Sequence, residues 1–418
     1  MPRARHVPAP LRAGVALALS AFFVWCAWAA ARAGASRVIS DYAGRVLSKE
    51  AADASVALTP SDPEAHYARG NALADSGDYA SAVPAYEEAL RLRPRDYVIW
   101  VELGKAREEA GDAAGALEAI RRAVSLAPFY ARPRWLLGNA LLRAGARAEA
   151  VKELRHAAES DPRLYPNLVQ TLWPSSGRDP RAFVRDAAPR TNDETLAVVR
   201  FLIKEGEVDE GLKTLRESGL RLTDETRKKL VTDLLAAEHF AAAYGVWSGG
   251  RGSTDSFDNG GFEEGARSDE EGFGWRFALG GQAVRLSLDD AEPREGAHSL
   301  KVEYAGTSEP SAPAVSRLAL VESGARYRLT FSARTKELVT GGPPFVEVVS
   351  AANSGGSLAA TNPLPATSDG WQELALEFTA PPPGAVRVAL KRRPCTSGPC
   401  PAFGAVWLDA FELRRLGR

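Results

Sequence analysis

The side chains of this chain that could do chemistry are few and scattered. Its five histidines, His6, His66, His156, His239 and His298, share no metal-binding or catalytic spacing such as H-E-x-x-H. No G-x-S-x-G turn and no phosphate-cradling glycine loop occurs in the sequence. Glu263 and Glu264 are adjacent. Along a strand they would point to opposite faces, which rules them out as the paired carboxyl groups of a glycosidase. Of the three cysteines, Cys26 lies in an apolar run, while Cys395 and Cys400 bracket the turn-prone "TSGP". Two cysteines this close, with no histidine nearby, make a poor zinc site and a good disulfide staple in an oxidising compartment. These observations describe a protein that is not an enzyme.

The elements that position these residues fall into several blocks. A chain of 418 residues is long enough for two or three domains. A net charge of −1, with 25% charged and 45% hydrophobic residues, is ordinary for a globular protein and gives no reason to expect nucleic acid. The one dense basic cluster, Lys391-Arg392-Arg393, reads as a solvated strand end. At the N-terminus a basic segment, 1–12, carries Arg3, Arg5 and Arg12 ahead of the uncharged run "AGVALALSAFFVWCAWAAA" at 13–31. That run is about as long as a bilayer-spanning helix needs, and Trp25 and Trp28 sit near its far end, where interfacial aromatics are favoured. It is expected to be a single-pass inner-membrane anchor with an extracytoplasmic, periplasmic body. The alternative is a signal cleaved near "ARA" at 31–33 and a secreted product.

The strongest signal follows. Gly70, Gly104 and Gly138 stand 34 residues apart. Gly77, Gly111 and Gly145 keep the same step, as do Ala82, Ala116 and Ala150, then Ala89, Ala123 and Ala157, then Pro94, Pro128 and Pro162. Each position has a physical role. The first glycine and the alanines let two antiparallel helices approach. The second glycine ends the first helix, because it adopts the left-handed conformation cheaply. Tyr86, Ile120 and Leu154 wedge between the helices, and the proline closes the second. Trp100, Leu103 and Gly104 reproduce a W-x-x-L-G start, whereas the first copy has His66 and Arg69 at the tryptophan and leucine positions.

Over 63–162 the chain resembles the tetratricopeptide repeat family. The resemblance implies a solenoid that binds a protein partner in a groove lined by the first helix of each repeat. The corresponding positions are Tyr67, Asn71 and Asp75, then Glu102, Lys105 and Glu109, then Asn139 and Arg143. An ordinary solvated helix face is the competing reading. Upstream, 40–62 reads as a leading half-repeat. Downstream, 163–247 reads as degenerate helical repeats, with "LYPNLVQTLWPSSGRDP" as a proline-rich interruption.

After a linker at 248–255 the hydrophobic period changes to two. Tyr327, Leu329 and Phe331 share a strand face, as do Leu374, Leu376 and Phe378, and Val386, Val388 and Leu390. Roughly nine such strands separated by glycine- and proline-rich turns predict a β-sandwich over 256–415. The fold class is therefore multidomain: a membrane helix, an all-α solenoid, then an all-β jelly roll. The ordered pieces "NGGFE", "GWRF", "GAHSLKVEY", "GARYRLTFSART", "WQELALEFTAPP" and "VWLDAFEL" resemble the carbohydrate-binding modules of galactose-binding-like fold. That resemblance implies a structural calcium held by Glu263 and Asp409, with backbone carbonyls near Ser299 or Lys301. It also implies a glycan platform among Trp275, Phe345, Trp371 and Trp407, although "GFGWRF" and "GWQEL" place their tryptophans where the fold normally buries them, which favours the core for these aromatics. Two functions follow: a membrane-anchored scaffold that recruits a protein, in a setting such as envelope or exopolysaccharide assembly, or a glycan-binding protein whose repeats present the sandwich.

Overall fold

The computed structural model describes residues 9–249, 257–264, 271–277, 283–352, 356–396 and 400–417. The basic segment before Ala9 and most of the expected linker lie outside the described residues. The chain forms two compact units, Met1–Ala197 and Val198–Arg418.

The first unit is helical. Helix α1 (Ala9–Val46) is followed by α2 (Lys49–Leu58), α3 (Pro63–Asp75), α4 (Tyr79–Leu92), α5 (Tyr97–Glu109), α6 (Ala113–Leu126), α7 (Ala131–Arg143) and α8 (Arg147–Ser160). A 3-10 turn, Pro162–Leu164, leads to α9 (Tyr165–Ser175), α10 (Pro180–Ala187) and the start of α11 (Asn192–Lys204). The sequence suggests an anchor at 13–31 and a lone half-repeat after it. Instead α1 continues through Arg32 without a break, and its C-terminal part pairs with α2. Ser36 Oγ donates to the Ser55 carbonyl at 3.0 Å, and Ala43 packs with Ala52, Ala68 and Ala72. The segment 13–46 is long and apolar enough to cross a membrane. Within α1, Arg32 donates to the Leu58 carbonyl at 2.6 Å and lies over the Trp28 ring at 4.5 Å.

The repeat positions do what their spacing requires. A Cβ on Gly70, Gly104 or Gly138 would lie 2.5 Å from Tyr86 Cε1, Ile120 Cγ1 or Leu154 Cγ. Only glycine lets each helix pair close onto that buried wedge. Gly77, Gly111 and Gly145 take positive φ of 79°, 88° and 78° and end α3, α5 and α7. Asp62, Asp78, Asp96 and Asp112 cap the helices of the first two repeats through their carboxylates, a device the third repeat lacks at Tyr130 and Ala146. The stretch read as a proline-rich interruption is helical: Pro180 occupies the first turn of α10, where a missing N–H costs nothing, and Asp179 caps it.

The second unit carries the rest of α11, then α12 (Val208–Ser218), α13 (Asp224–Ala236) and α14 (Phe240–Ser248). Ten strands follow among the described residues: β1 (Arg276–Phe277), β2 (Val284–Asp289), β3 (Ser299–Thr307), β4 (Val315–Leu320), β5 (Arg326–Thr340), β6 (Pro344–Ser350), β7 (Ser357–Ala360), β8 (Gln372–Thr379), β9 (Ala385–Arg392) and β10 (Pro401–Arg415). They form two five-stranded antiparallel sheets, ordered β1-β4-β9-β6-β7 and β2-β3-β10-β5-β8. The alternating residues Leu329, Phe331, Val386, Val388 and Leu390 meet Val302, Val346, Val406 and Phe411 in the core between the sheets. The opening "NGGFEE" is a turn. Asn259 and Phe262 have positive φ, and Phe262 is fully buried against Trp275 at 4.8 Å between ring centroids.

Candidate functional site

In the first unit, α3 and α5 turn Tyr67, Asn71, Asp75, Glu102, Lys105 and Glu109 towards one cavity of about 590 Å³. Tyr86, the wedge of the first repeat, forms part of its floor and donates its hydroxyl to Asn71 Oδ1 at 2.9 Å. Burial raises the pKa of both Tyr67 and Tyr86, so each stays a neutral phenol. Glu102 accepts from Lys105 at 2.8 Å and from Arg132 at 2.6 Å. Glu108 on the same wall pairs with Arg143 at 2.5 Å. Asp75 and Glu109 have no cation partner among the described residues, which leaves the cavity with surplus negative charge. The structure thus brings Tyr67, Asn71, Asp75 and Lys105 together. Arg143 reaches them only through Glu108, and Asn139 turns back to donate to the Trp135 carbonyl at 2.8 Å.

In the second unit, Glu263 and Asp409 sit on either side of one loop. The bulge of β10 between Asp409 and Glu412 places Ala410 at a φ of 53° and buries Asp409 completely. Asp409 Oδ2 accepts the amides of Arg294 and Glu295 at 2.8 and 3.1 Å, and Oδ1 accepts that of Ala410 at 2.7 Å. Glu263 accepts from Ala297 at 3.0 and 3.1 Å and from His298 at 3.2 Å. Gly296, at a φ of 69°, makes this possible, since a Cβ there would meet Glu263 Oε1. Burial, with the Glu263 charge adding to it, pushes the Asp409 carboxyl above its ordinary pKa against the pull of the amides. Two hard, mutually repelling carboxylates suit calcium in charge and donor type. Ser299 and Lys301, in contrast, lie in the ladder between β2 and β3, with Lys301 also paired to Trp407. Among the described residues no group of three or more metal-binding side chains forms.

The four aromatic candidates separate. Trp275 and Trp407 are buried, at 4% and 7% exposure. Trp407 Nε1 donates to Asp289 Oδ2 at 2.6 Å, with Arg334 4.6 Å and Lys301 5.5 Å from its ring centroid. Trp371 and Phe345 are half-buried, with Arg334 and Arg393 lying 5.4 and 5.3 Å from their ring centroids. Cys395 and Cys400 are joined by a disulfide.

One link escaped the sequence reading. His66, Trp100 and Arg134, at the first-helix position 34 residues apart, each hydrogen-bond the carbonyl of the proline six residues earlier. The shared spacing of these residues and of Pro60, Pro94 and Pro128 was the available signal.

The fold is that of tetratricopeptide repeats followed by a C-terminal β-sandwich. Tetratricopeptide repeat family models match residues 63–96 and 101–165. Among solved structures, the chain is similar to "Crystal structure of MamA" at 27% identity and a TM-score of 0.27, over 28% of this chain and 67% of that one. It is also similar to "MamA 41-end from Desulfovibrio magneticus RS-1" at 20% identity and a TM-score of 0.31, over 44% of this chain and 92% of that one. Two further MamA structures are spanned over 63% and 66% of their length. A second kind of match is "CBM4 structure and function", at 15% identity and a TM-score of 0.28, over 38% of this chain and all of that one. Comparison with curated proteins finds no match.

Proposed function

We propose that this protein is a non-enzymatic, membrane-anchored scaffold with an extracytoplasmic body, in a setting such as envelope or exopolysaccharide assembly, whose repeat groove holds a segment of a protein partner. The observation that carries this reading is the cavity shared by Tyr67, Asn71, Asp75 and Lys105, with Asp75 and Glu109 unneutralised among the described residues. An extended segment bearing a lysine or arginine complements that charge. Its backbone would compete for the side-chain amide of Asn71, which is held between Tyr67 and Tyr86, and its apolar side chains would use the Tyr67 ring. The Cys395–Cys400 disulfide supports an oxidising compartment. The test is a photo-crosslinker placed at Asn71 and, as a control, at the exposed Glu118 of α6, in cells. A discrete adduct from Asn71, lost when Asp75 and Glu109 are changed to lysine, supports the groove. Identical adducts from both positions, or none from Asn71, would sink it.

A second reading takes the sandwich as a glycan binder. It rests on Trp371 and Phe345, which keep part of each ring at the surface. A glycan array probed with wild type, Trp371→Ala and Phe345→Ala decides it. For calcium, Glu263 and Asp409 are the side chains that would hold the ion, which would relieve their mutual repulsion.

A further inference from the structure

In the first sheet β4 lies between β1 and β9. Register sets Arg276 opposite Ser316, and Arg387 opposite Leu318. Residues two apart on a strand share a face, so Arg276, Ser316, Leu318 and Arg387 stand together. Their neighbours Val315, Ala319, Val386 and Val388 point the other way, into the core. The outward face is walled by Thr232, Leu235, Ala236 and Phe240 of α13 and α14, and encloses a cavity of about 390 Å³.

The charge in this cavity is unbalanced. Arg387 is half-buried and Arg276 exposed, and among the described residues neither has a carboxylate partner. Of the nearby acids, Glu347, on the same sheet face, pairs with Lys391 at 3.0 Å, whereas Glu271, in the cavity wall, keeps its charge beside Thr232 Oγ1 at 2.9 Å, so the guanidinium groups of Arg276 and Arg387 face a single carboxylate in the described lining. Burial, and then the Arg276 charge, pull the Arg387 pKa down. A guanidinium withdrawn from water without a paired counter-ion, beside a second guanidinium, is an expensive arrangement for a fold that gains nothing from it. The same arrangement is what a forked, bidentate oxyanion receptor requires.

We propose that this cavity binds the oxyanion of an acidic ligand, a carboxylate, sulfate or phosphate group, clasped by Arg387 and Arg276 with Ser316 Oγ between them. The volume fits a ligand part about the size of one sugar ring or amino acid. The site is independent of the repeat groove and of the glycan reading.

The test is calorimetric titration of the full chain in detergent micelles with sulfate, phosphate and glucuronate at constant ionic strength, and with glucose as the neutral control. At least one oxyanion is expected to bind saturably while glucose does not. The tightest of the three identifies the source, whether sulfated, phosphorylated or uronic. Arg387→Gln and Arg276→Gln should each weaken binding about tenfold or more. Arg387→Lys should restore it only in part, and Arg328→Gln, at an exposed arginine on the other sheet, should change nothing. Absence of saturable binding by all three oxyanions, or equal affinity in the Arg276 and Arg387 variants, overturns the proposal. Because Arg276 is exposed, its variant keeps the test valid should Arg387→Gln fail to fold.

Discussion

His66 Nε2 lies 2.8 Å from the carbonyl oxygen of Pro60. A carbonyl can only accept, so the imidazole carries its proton on Nε2. Trp100 Nε1 makes the same bond to Pro94 at 3.0 Å, and Arg134 Nε to Pro128 at 2.6 Å. Three chemically different donors thus play one part, fastening each repeat's first helix to the turn that proline opens before it. This explains why the first copy tolerates a histidine where the family pattern has tryptophan.

Trp100→Phe should therefore cost up to about 1 kcal/mol beyond any packing loss, because it removes the hydrogen bond to the exposed Pro94 carbonyl. Trp100→His should recover part of that, as His66 does in the preceding repeat. Urea unfolding of both variants checks this. Equal destabilisation would show that the ring, and not its N–H, supplies the stability.

Gly104→Ala should destabilise the solenoid. Its Cβ would lie 2.5 Å from Ile120 Cγ1 and 3.3 Å from the Ala116 carbonyl. Overpacking of this kind costs about 1–3 kcal/mol, more than the roughly 1 kcal/mol gained from helix propensity. Gly245→Ala is the contrast: it sits within α14 with nothing within 4 Å of its Cβ and should leave stability unchanged or raise it. Thermal melts should show a lowered midpoint for Gly104→Ala and an unchanged or raised one for Gly245→Ala.

Two carboxylates of the sandwich give opposite pH responses. The Trp407 N–H, and then the Ala291 amide, hold Asp289 below the ordinary aspartate range. Its contribution is present above the unfolded value of about 3.9 and is lost as pH falls through the lower folded value. Asp409 is raised, so its contribution is present below the unfolded value and is lost as pH rises through the folded one. Asp289→Asn should flatten the acid limb of a stability–pH curve, and Asp409→Asn should remove the gain on protonation. An acid limb unchanged by Asp289→Asn would refute the first assignment.

Calcium should raise the melting temperature of the wild type, and a chelator should reverse the gain. Glu263→Gln should abolish the response while the sandwich still folds, as judged by its near-ultraviolet dichroism. An undiminished response in that variant would remove Glu263 from the site.

The repeats were legible because their demands are local. A glycine facing a wedge and a glycine ending a helix recur at fixed steps, whatever the rest of the chain does. Strand alternation revealed the sandwich core for the same reason. The proline-rich stretch misled, because Pro180 reads as a breaker until its place in the first turn of a capped helix is known. The turn at "NGGFEE" was not legible, because it depends on Asn259 accepting from the Glu264 amide at 3.0 Å. Arg276 and Arg387 gave no signal at all, since only sheet register makes them neighbours. Likewise, nothing in the sequence near Asp409 shows that its carboxylate will receive amides from Arg294 and Glu295.

The unbroken run of α1 has a mechanical consequence. Its 38 residues rise about 57 Å, of which residues 13–31 would take up about 28 Å, close to the hydrocarbon thickness of a bilayer. The remainder does not hang from a tether, because Ser36, Ser40 and Ala43 are already the first wall of the solenoid. A bilayer-embedded α1 is a mast with no swivel at its foot. On the proposed anchoring, the groove would ride at a set standoff from the lipid surface and at a set tilt, and its reach would be limited to partners presented at that height. Inserting two glycines after Arg32 would turn the mast into a leash, and crosslinking yield at Asn71 would report the lost aim.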